Sequence, residues 1–347
     1  MLQIHISVTF MVNSVLKVED LKIEIKLDEG MLTPVRGVSF EVRENETLGL
    51  VGESGCGKSL TCKAILGIND KKCKTTGKIN FSKDGSEINL LEMKKDSAEI
   101  RSIRGKNISM IFQEPMSSFS PLYTIGNQMS EVILLHMTKD KKKAKELAIE
   151  ALRRVGIANP EKRYNQYPHE FSGGMLQRVL IAMALVCNPN LLIADEPTTA
   201  LDVTIQAQII ELMKQLQKEY RMAILYITHD LGTVAQICDR VAVMYLGKIV
   251  EIGTVHEIFK DPKHPYTKGL LGSVHKIGGN NERLFSIEGT VPLAMNLKDR
   301  CSFYDRCVFR DENKCNRPEP CLKEVGKEHS VACWLYESNE PHEKEGI

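Results

Sequence analysis

Gly52-Glu53-Ser54-Gly55-Cys56-Gly57-Lys58-Ser59 is the stretch on which the fold of this chain turns. A glycine, four free positions and then Gly-Lys-Ser is the pattern of a loop that wraps a phosphate chain. Gly52, Gly55 and Gly57 let the main chain bend tightly and turn its N–H groups inward. Lys58 brings a point positive charge to the β- and γ-phosphates, and Ser59 a hydroxyl for Mg²⁺. Upstream, Thr47–Val51 reads as a short buried strand; downstream, Leu60–Leu66 reads as a helix. The start of that helix adds its partial positive charge to the anion site. A glycine-rich turn that happens to contain Lys-Ser would account for the octet but not for its flanks. Strand, loop and helix together predict an α/β fold of the P-loop nucleotide-binding type. Gly52 through Leu60 then form the phosphate cradle, with Glu53, Ser54, Gly55 and Cys56 as its free positions.

Composition narrows the class. The chain has 347 residues, enough for one large domain and an appendage. Lys and Arg number 46 against 45 Asp and Glu, so no bulk basic field points to nucleic acid. No uninterrupted apolar run reaches the roughly 18 residues of a membrane-spanning helix. Met1 to Leu16 lacks a charged n-region and a small-residue cleavage site, so it is not read as a secretory signal; Met11 is an alternative start.

Short apolar runs at Leu48–Val51, Ile108–Phe112, Leu191–Ala194, Ala223–Thr228 and Val241–Leu246 suit parallel strands covered on both faces. Gly247 to Gly253 reads as the return of a hairpin. Between Pro115 and Val186 the pattern turns helical. Lys141–Val155 sets Ala144, Leu147, Ala148, Ala151, Leu152 and Val155 on one stripe, and Lys139, Lys141, Lys142 and Lys143 read as a solvated helix start. After Lys260 the texture loosens, with punctuation at Asp261–Pro265 and Gly278–Asn281. The expected organisation is an N-terminal extension (1–15), a nucleotide-binding domain (16–260) with a helical subdomain at about 116–186, a C-terminal extension (261–337) and a flexible tail (338–347).

Two further motifs carry chemistry. Leu191–Glu196 is an apolar strand ending in two carboxylates, which places Asp195 near the Mg²⁺ shell and Glu196 toward the γ-phosphate as a water-orienting base. Ser172-Gly173-Gly174 opens a helical run and forms a second phosphate-binding geometry, although a plain serine cap would look the same. One chain does not easily fold both phosphate sites around one nucleotide, whereas two chains placed head to tail do.

The order of these motifs resembles the ATP-binding subunit of ABC transporters across about residues 16–260. The resemblance implies roles for Gly52–Ser59 as the phosphate loop, Gln113 as the Q-loop glutamine that reaches Mg²⁺, and Ser172-Gly173-Gly174 as the signature. It likewise implies roles for Asp195 and Glu196 as Mg²⁺ ligand and catalytic glutamate, Ala200-Leu201-Asp202 as the D-loop, and His229 as the switch histidine, with Lys58 holding γ-phosphate charge. At finer grain, Tyr167–Met175, Asp202–Gln208, His264–Lys268 and Ile287–Pro292 resemble the oligopeptide, dipeptide and nickel import branch, in the version whose signature carries Met175. The implied function is ATP hydrolysis driving import of oligopeptides or dipeptides at the cytoplasmic face of the cell membrane. The implied partners are a second, non-identical ATPase subunit, two integral membrane permease subunits and, indirectly, an extracytoplasmic binding protein. A nickel or small-solute importer, and a soluble ABC ATPase acting on nucleic acid or ribosomes, are the alternatives.

Five of the ten cysteines lie between Cys301 and Cys333. In a chain without an export signal such a cluster suits a metal better than disulfides. The family resemblance implies a four-iron four-sulfur cluster on Cys301, Cys307, Cys315 and Cys333, with Cys321 a bystander; a four-cysteine zinc site is the alternative. Two positions depart from the pattern. Ile25 stands where relatives stack an aromatic ring on adenine, leaving Tyr123 or a partner as substitutes, and Arg300 stands where a glycine is usual.

Overall fold

The apolar runs of the sequence become the centre of one sheet. In the computed structural model, which describes residues 13–83, 85–199, 201–273 and 287–336, these runs are buried, except that Met110 is half-buried and Phe112 exposed. Two sheets form. The first is antiparallel and contains β1 (Ser14–Leu27), β2 (Gly30–Arg43), β4 (Cys73–Lys83) and β5 (Ser86–Asn89) in the order β2-β1-β4-β5. The second contains β3 (Thr47–Val51), β6 (Ile108–Ile111), β7 (Leu191–Asp195), β8 (Ala223–Thr228), β9 (Arg240–Tyr245), β10 (Lys248–Thr254), β11 (Lys323–Glu324) and β12 (Ser330–Val331). Its order is β11-β12-β10-β9-β3-β8-β7-β6, parallel from β6 to β9 and antiparallel beyond.

Alternation along the parallel strands divides the core in two. Val51, Ala194, Tyr226 and Val243 face the helical side, while Leu50, Ile193, Leu225 and Ala242 face the antiparallel sheet. Both faces need apolar cover, which is why these strands read as continuous runs rather than as alternating ones. Truncating a fully buried Leu225 to Ala should cost about 2–5 kcal/mol. The register also levels the strand ends, because Val51 pairs with Thr228 and Asp195 with Ile227. The loops after β3, β7 and β8 therefore leave from one edge, where open α/β sheets bind their ligands.

The helical region forms from capped, amphipathic segments. Asp140 caps the helix Lys141–Arg154 by accepting the N–H groups of Lys142 and Lys143, and Ala144, Ala148 and Leu152 fill its buried stripe. Its opening lysines are exposed, as expected of a solvated start. The helix after the phosphate loop begins at Lys58 rather than Leu60, because the left-handed Gly57 already sets its first turn. β6 stops at Ile111, one residue short of the expected end.

The C-terminal extension continues the main sheet. β12 pairs with β10 through Glu251–Val331 and Ile252–Ser330. Arg36 of β2 reaches Ser302 and, at 2.6 Å, Glu319, and the Thr33 N–H donates to the Ala294 carbonyl at 2.8 Å. Most of the expected N-terminal extension, with Met1 and Met11, lies outside the described residues, as do Ala200 of the D-loop, the punctuation at Gly278–Asn281 and the tail 338–347.

Candidate active site at the carboxyl edge of the parallel strands

The phosphate loop closes around positions where only glycine fits. A Cβ on Gly57, at φ +104°, would sit 2.4 Å from the Pro34 carbonyl oxygen, and one on Gly52 2.1 Å from that of Met244. Gly55, at φ +82°, faces open space instead, with no atom within 4 Å of its would-be Cβ. The loop thus packs tightly on one side and stays clear on the other. Lys58 is buried, and its Nζ donates to the carbonyls of Gly52 (2.7 Å) and Glu53 (3.1 Å) and more loosely to Cys56 Sγ (3.7 Å). Ser54 is exposed and Leu60 half-buried.

Ser59 and Asp195, 136 positions apart, meet where Mg²⁺ is expected: Ser59 Oγ donates to Asp195 Oδ1 at 3.0 Å. Burial pushes the Asp195 carboxyl above the usual range, with the Ser59 bond pulling down and neighbouring Glu196 adding to the rise. Glu196 follows at φ +48°, a left-handed conformation costly for a residue with a Cβ. Four bonds hold it there. Its N–H donates to the Ile227 carbonyl (2.9 Å), while its carboxylate accepts from Gln113 Nε2 (3.1 Å) and Thr199 Oγ1 (3.0 Å) and bonds His229 Nδ1 (3.1 Å). The carboxylate is largely buried and His229 more than half exposed. Gln113, expected at Mg²⁺, is engaged with the Glu196 carboxylate.

Ser172 and Asp202 take a different place. Ser172 Oγ accepts the Met175 N–H (3.3 Å) at the start of the helix Gly173–Leu185, and Asp202 accepts the Ile205 N–H (3.0 Å) at the start of Val203–Tyr220. Gly174 is needed where these helices touch, since a Cβ there would lie 2.8 Å from Ile205 Cγ2. Ser172 and Gly173 are exposed on this surface. Ile25 is half-buried in β1 opposite Leu32 and Cys73, and Tyr123 stands more than half exposed.

Sequence reasoning missed the residues that hold the loop from outside. Tyr266 Oη accepts the Glu53 N–H at 2.9 Å. Arg306 forks onto the Glu53 carboxylate with contacts of 2.7 and 3.0 Å. Tyr266 owes its position to His264, whose Nδ1 accepts the Tyr266 N–H (3.0 Å) at the start of the helix Pro265–Gly272. A His-Pro pair was a legible helix start, but no local signal connects Arg306 to a loop 253 residues away.

The cysteines gather in part. Burial, with neighbouring Cys315, Cys333 and Cys307 adding to it, pushes the Cys301 thiol up to about 12. Burial likewise raises Cys307, and raises Cys333 to about 11, each with help from thiols of the same set. The Cys301 N–H donates to the Cys315 carbonyl at 3.2 Å. Cys321 is exposed and contributes to none of these shifts. The four thiols therefore share one neighbourhood, and all-sulfur donors suit iron–sulfur or zinc chemistry. Among the described residues, however, no three cysteine, histidine or acidic side chains already stand at metal-ligating spacing. Before Cys301, Arg300 Nη2 donates to both carboxylate oxygens of Asp305 (2.7 Å each), and the guanidinium lies 4.3 Å from the centre of the Tyr304 ring.

The chain is similar to known proteins along most of its length. The ABC transporter family model matches residues 35–199, and the oligopeptide/dipeptide transporter C-terminal region matches 250–315. The dipeptide transport ATP-binding protein DppD of Bacillus subtilis (strain 168) is 47% identical over 331 residues, covering 94% of this chain and 96% of that one. The oligopeptide transport ATP-binding protein OppD of the same organism is 49% identical, covering 95% and 91%. Among solved structures, a dimeric post-hydrolysis state of the ATP-binding cassette MJ0796 bound to ADP and Pi shares 26% identity at TM-score 0.60, covering 69% of this chain and 98% of that one. The chain belongs to the ABC transporter ATP-binding family. It is an ATPase with the family's P-loop fold, and among its described residues no helix is long and apolar enough to cross a membrane.

Proposed function

We propose that this chain is one ATP-hydrolysing subunit of a peptide importer, working at the cytoplasmic face of the cell membrane. The observation that carries the hydrolytic part is the Glu196 carboxylate, held by Gln113, Thr199 and His229 beside the Ser59–Asp195 pair. Mg²⁺ supplies charge neutralisation at the phosphates, and Ser59, Asp195 and Gln113 are the groups to hold it. Lys58 holds γ-phosphate charge, Glu196 orients the attacking water, and His229 fixes the carboxylate. The C-terminal region match and the peptide-transport relatives support peptides as the cargo.

Two membrane permease subunits and a second, non-identical ATPase complete the assembly, with an extracytoplasmic binding protein delivering cargo. A groove of about 570 Å³ between Leu66, Met110, Phe112, Ser117 and Met183 supports reception of a helix from a permease. The exposed Ser172-Gly173 turn at a helix N-terminus supports service to the partner's ATP. Cys301, Cys307, Cys315 and Cys333 hold a four-iron four-sulfur cluster that staples a tail poor in core residues, supported by the bond between the Cys301 N–H and the Cys315 carbonyl, by the at least partial burial of all four and by the exposure of Cys321.

Glu196→Gln should keep ATP binding and lower turnover by about 10²–10⁴-fold. With both permeases in liposomes, it should also abolish peptide uptake. Unchanged turnover would remove Glu196 from its role. Protein purified without oxygen should be brown, with colour lost in Cys315→Ser and kept in Cys321→Ser. Colourless protein holding zinc would decide for the other metal.

A further inference from the structure

The corner of the phosphate loop at Glu53 is fastened at every polar atom. Its N–H donates to Tyr266 Oη (2.9 Å), and its carbonyl accepts from Lys58 Nζ (3.1 Å) and the Cys56 N–H (3.4 Å). Its carboxylate takes the forked guanidinium of Arg306. Arg306 is fastened in turn. Its Nε donates to the Glu288 carbonyl (3.0 Å) and Nη2 also to that of Gly289 (3.1 Å). Its side chain is 6% exposed, and the guanidinium lies 5.7 Å from the centre of the Tyr245 ring. The Glu53 partnership outweighs burial, which works against the charge, and holds the guanidinium even more firmly charged than usual. A planar fork with all its donor groups engaged is a strut, not a surface ion pair.

We propose that Arg306 is a positioning residue for ATP, acting through Glu53 to pre-form the phosphate loop. A loop turning on three positive-φ glycines has many accessible conformations. Its N–H groups bind phosphate well only when already convergent, because ordering them on binding weakens affinity. Glu53 is where outside restraint enters. Its carbonyl and that of Gly52 set the place of the Lys58 ammonium, so freeing Glu53 blurs both the loop and its cation. Asp195, Glu196 and His229 lie at the ends of other strands and are untouched by the strut. The consequence is a split: losing Arg306 weakens ATP binding while leaving the hydrolytic step of bound ATP intact. Arg306 also directly precedes Cys307, so any rearrangement of the main chain at that thiol is carried into the nucleotide site.

The test is ATPase kinetics on the full chain for Arg306→Ala, Arg306→Lys, Glu53→Gln and the Arg306→Ala/Glu53→Gln pair, with a fluorescent ATP analogue for direct affinity. Arg306→Ala and Glu53→Gln should each raise KM and analogue Kd about tenfold, with kcat within about twofold of wild type. The double variant should be no weaker than the weaker single one, since both break one contact. Lysine keeps the charge but not the fork and should fall between. Unchanged KM in both single variants, or additive losses in the double, would overturn the proposal. A fall in kcat at constant KM would overturn it too. Should Arg306→Ala fail to fold, Glu53→Gln alone decides. Wild-type protein without ATP turnover would fault the functional reading instead.

Discussion

His264 gives the nucleotide site an acid limit that can be calculated. The ring is 2% exposed, with Phe303 5.8 Å away, and its Nδ1 accepts the Tyr266 N–H, so it must be neutral. The buried Glu251 carboxylate does not rescue a charged ring, because it accepts the His264 main-chain N–H (2.9 Å) and is occupied by His329 Nε2 at 2.7 Å. Burial lowers the His264 pKa from 6.5 to about 3. The folded chain thus binds this proton less readily than the unfolded chain, and stability falls as pH falls from 6.5 toward 3. Each unit within that window costs about 1.4 kcal/mol, so pH 5 removes roughly 2 kcal/mol present at pH 7.5. For a cooperative unfolding of this size that is about 3 °C in Tm. Asn is a good cap and does not titrate. Thermal melts of wild type and His264→Asn at both pH values should show the extra 3 °C acid loss in wild type alone. Equal losses in the two proteins would refute a buried neutral His264.

Other consequences separate the parts of the site. Gly57→Ala meets the Pro34 carbonyl and should cost at least about 2 kcal/mol on denaturant unfolding. Gly55→Ala, strained at φ +82° but free of any clash, should cost less, about 1 kcal/mol, yet weaken ATP in a binding titration. The raised Asp195 pKa means protons compete with Mg²⁺ at a higher pH than for an ordinary aspartate. Mg²⁺ activation of nucleotide binding should therefore weaken on acidification sooner than an ordinary aspartate would allow, with a smaller change in Asp195→Asn. Ser172→Arg, assembled with a second ATPase subunit, should block the partner's site while azido-ATP still labels this chain's Lys58. Damage confined to the Lys58 site would contradict service in trans.

Much of the fold was legible because its signals are local. Parallel strands covered on both faces must be continuous apolar runs, and the runs at β3, β7 and β8 ended within a residue of where the chain turns. The phosphate loop was legible because φ +104° beside a carbonyl admits only glycine. Asp195, Glu196 and His229 were expected at the site because Asp195 ends such a strand and Glu196 and His229 each follow directly on one. What only the tertiary structure decided is how distant segments share an atom. Gln113 meets Glu196 through strand register, and Thr199 joins it through a turn whose bond partner no motif specifies. The tail looked like an appendage, since its two-residue strands carry almost no pattern, yet it pairs with β10 and sends Arg306 to Glu53. Periodicity and motif spacing record what a residue needs from its neighbours in the chain. An ion pair across 253 positions leaves no such record, because an arginine and a glutamate look the same paired or solvated until the fold brings them together.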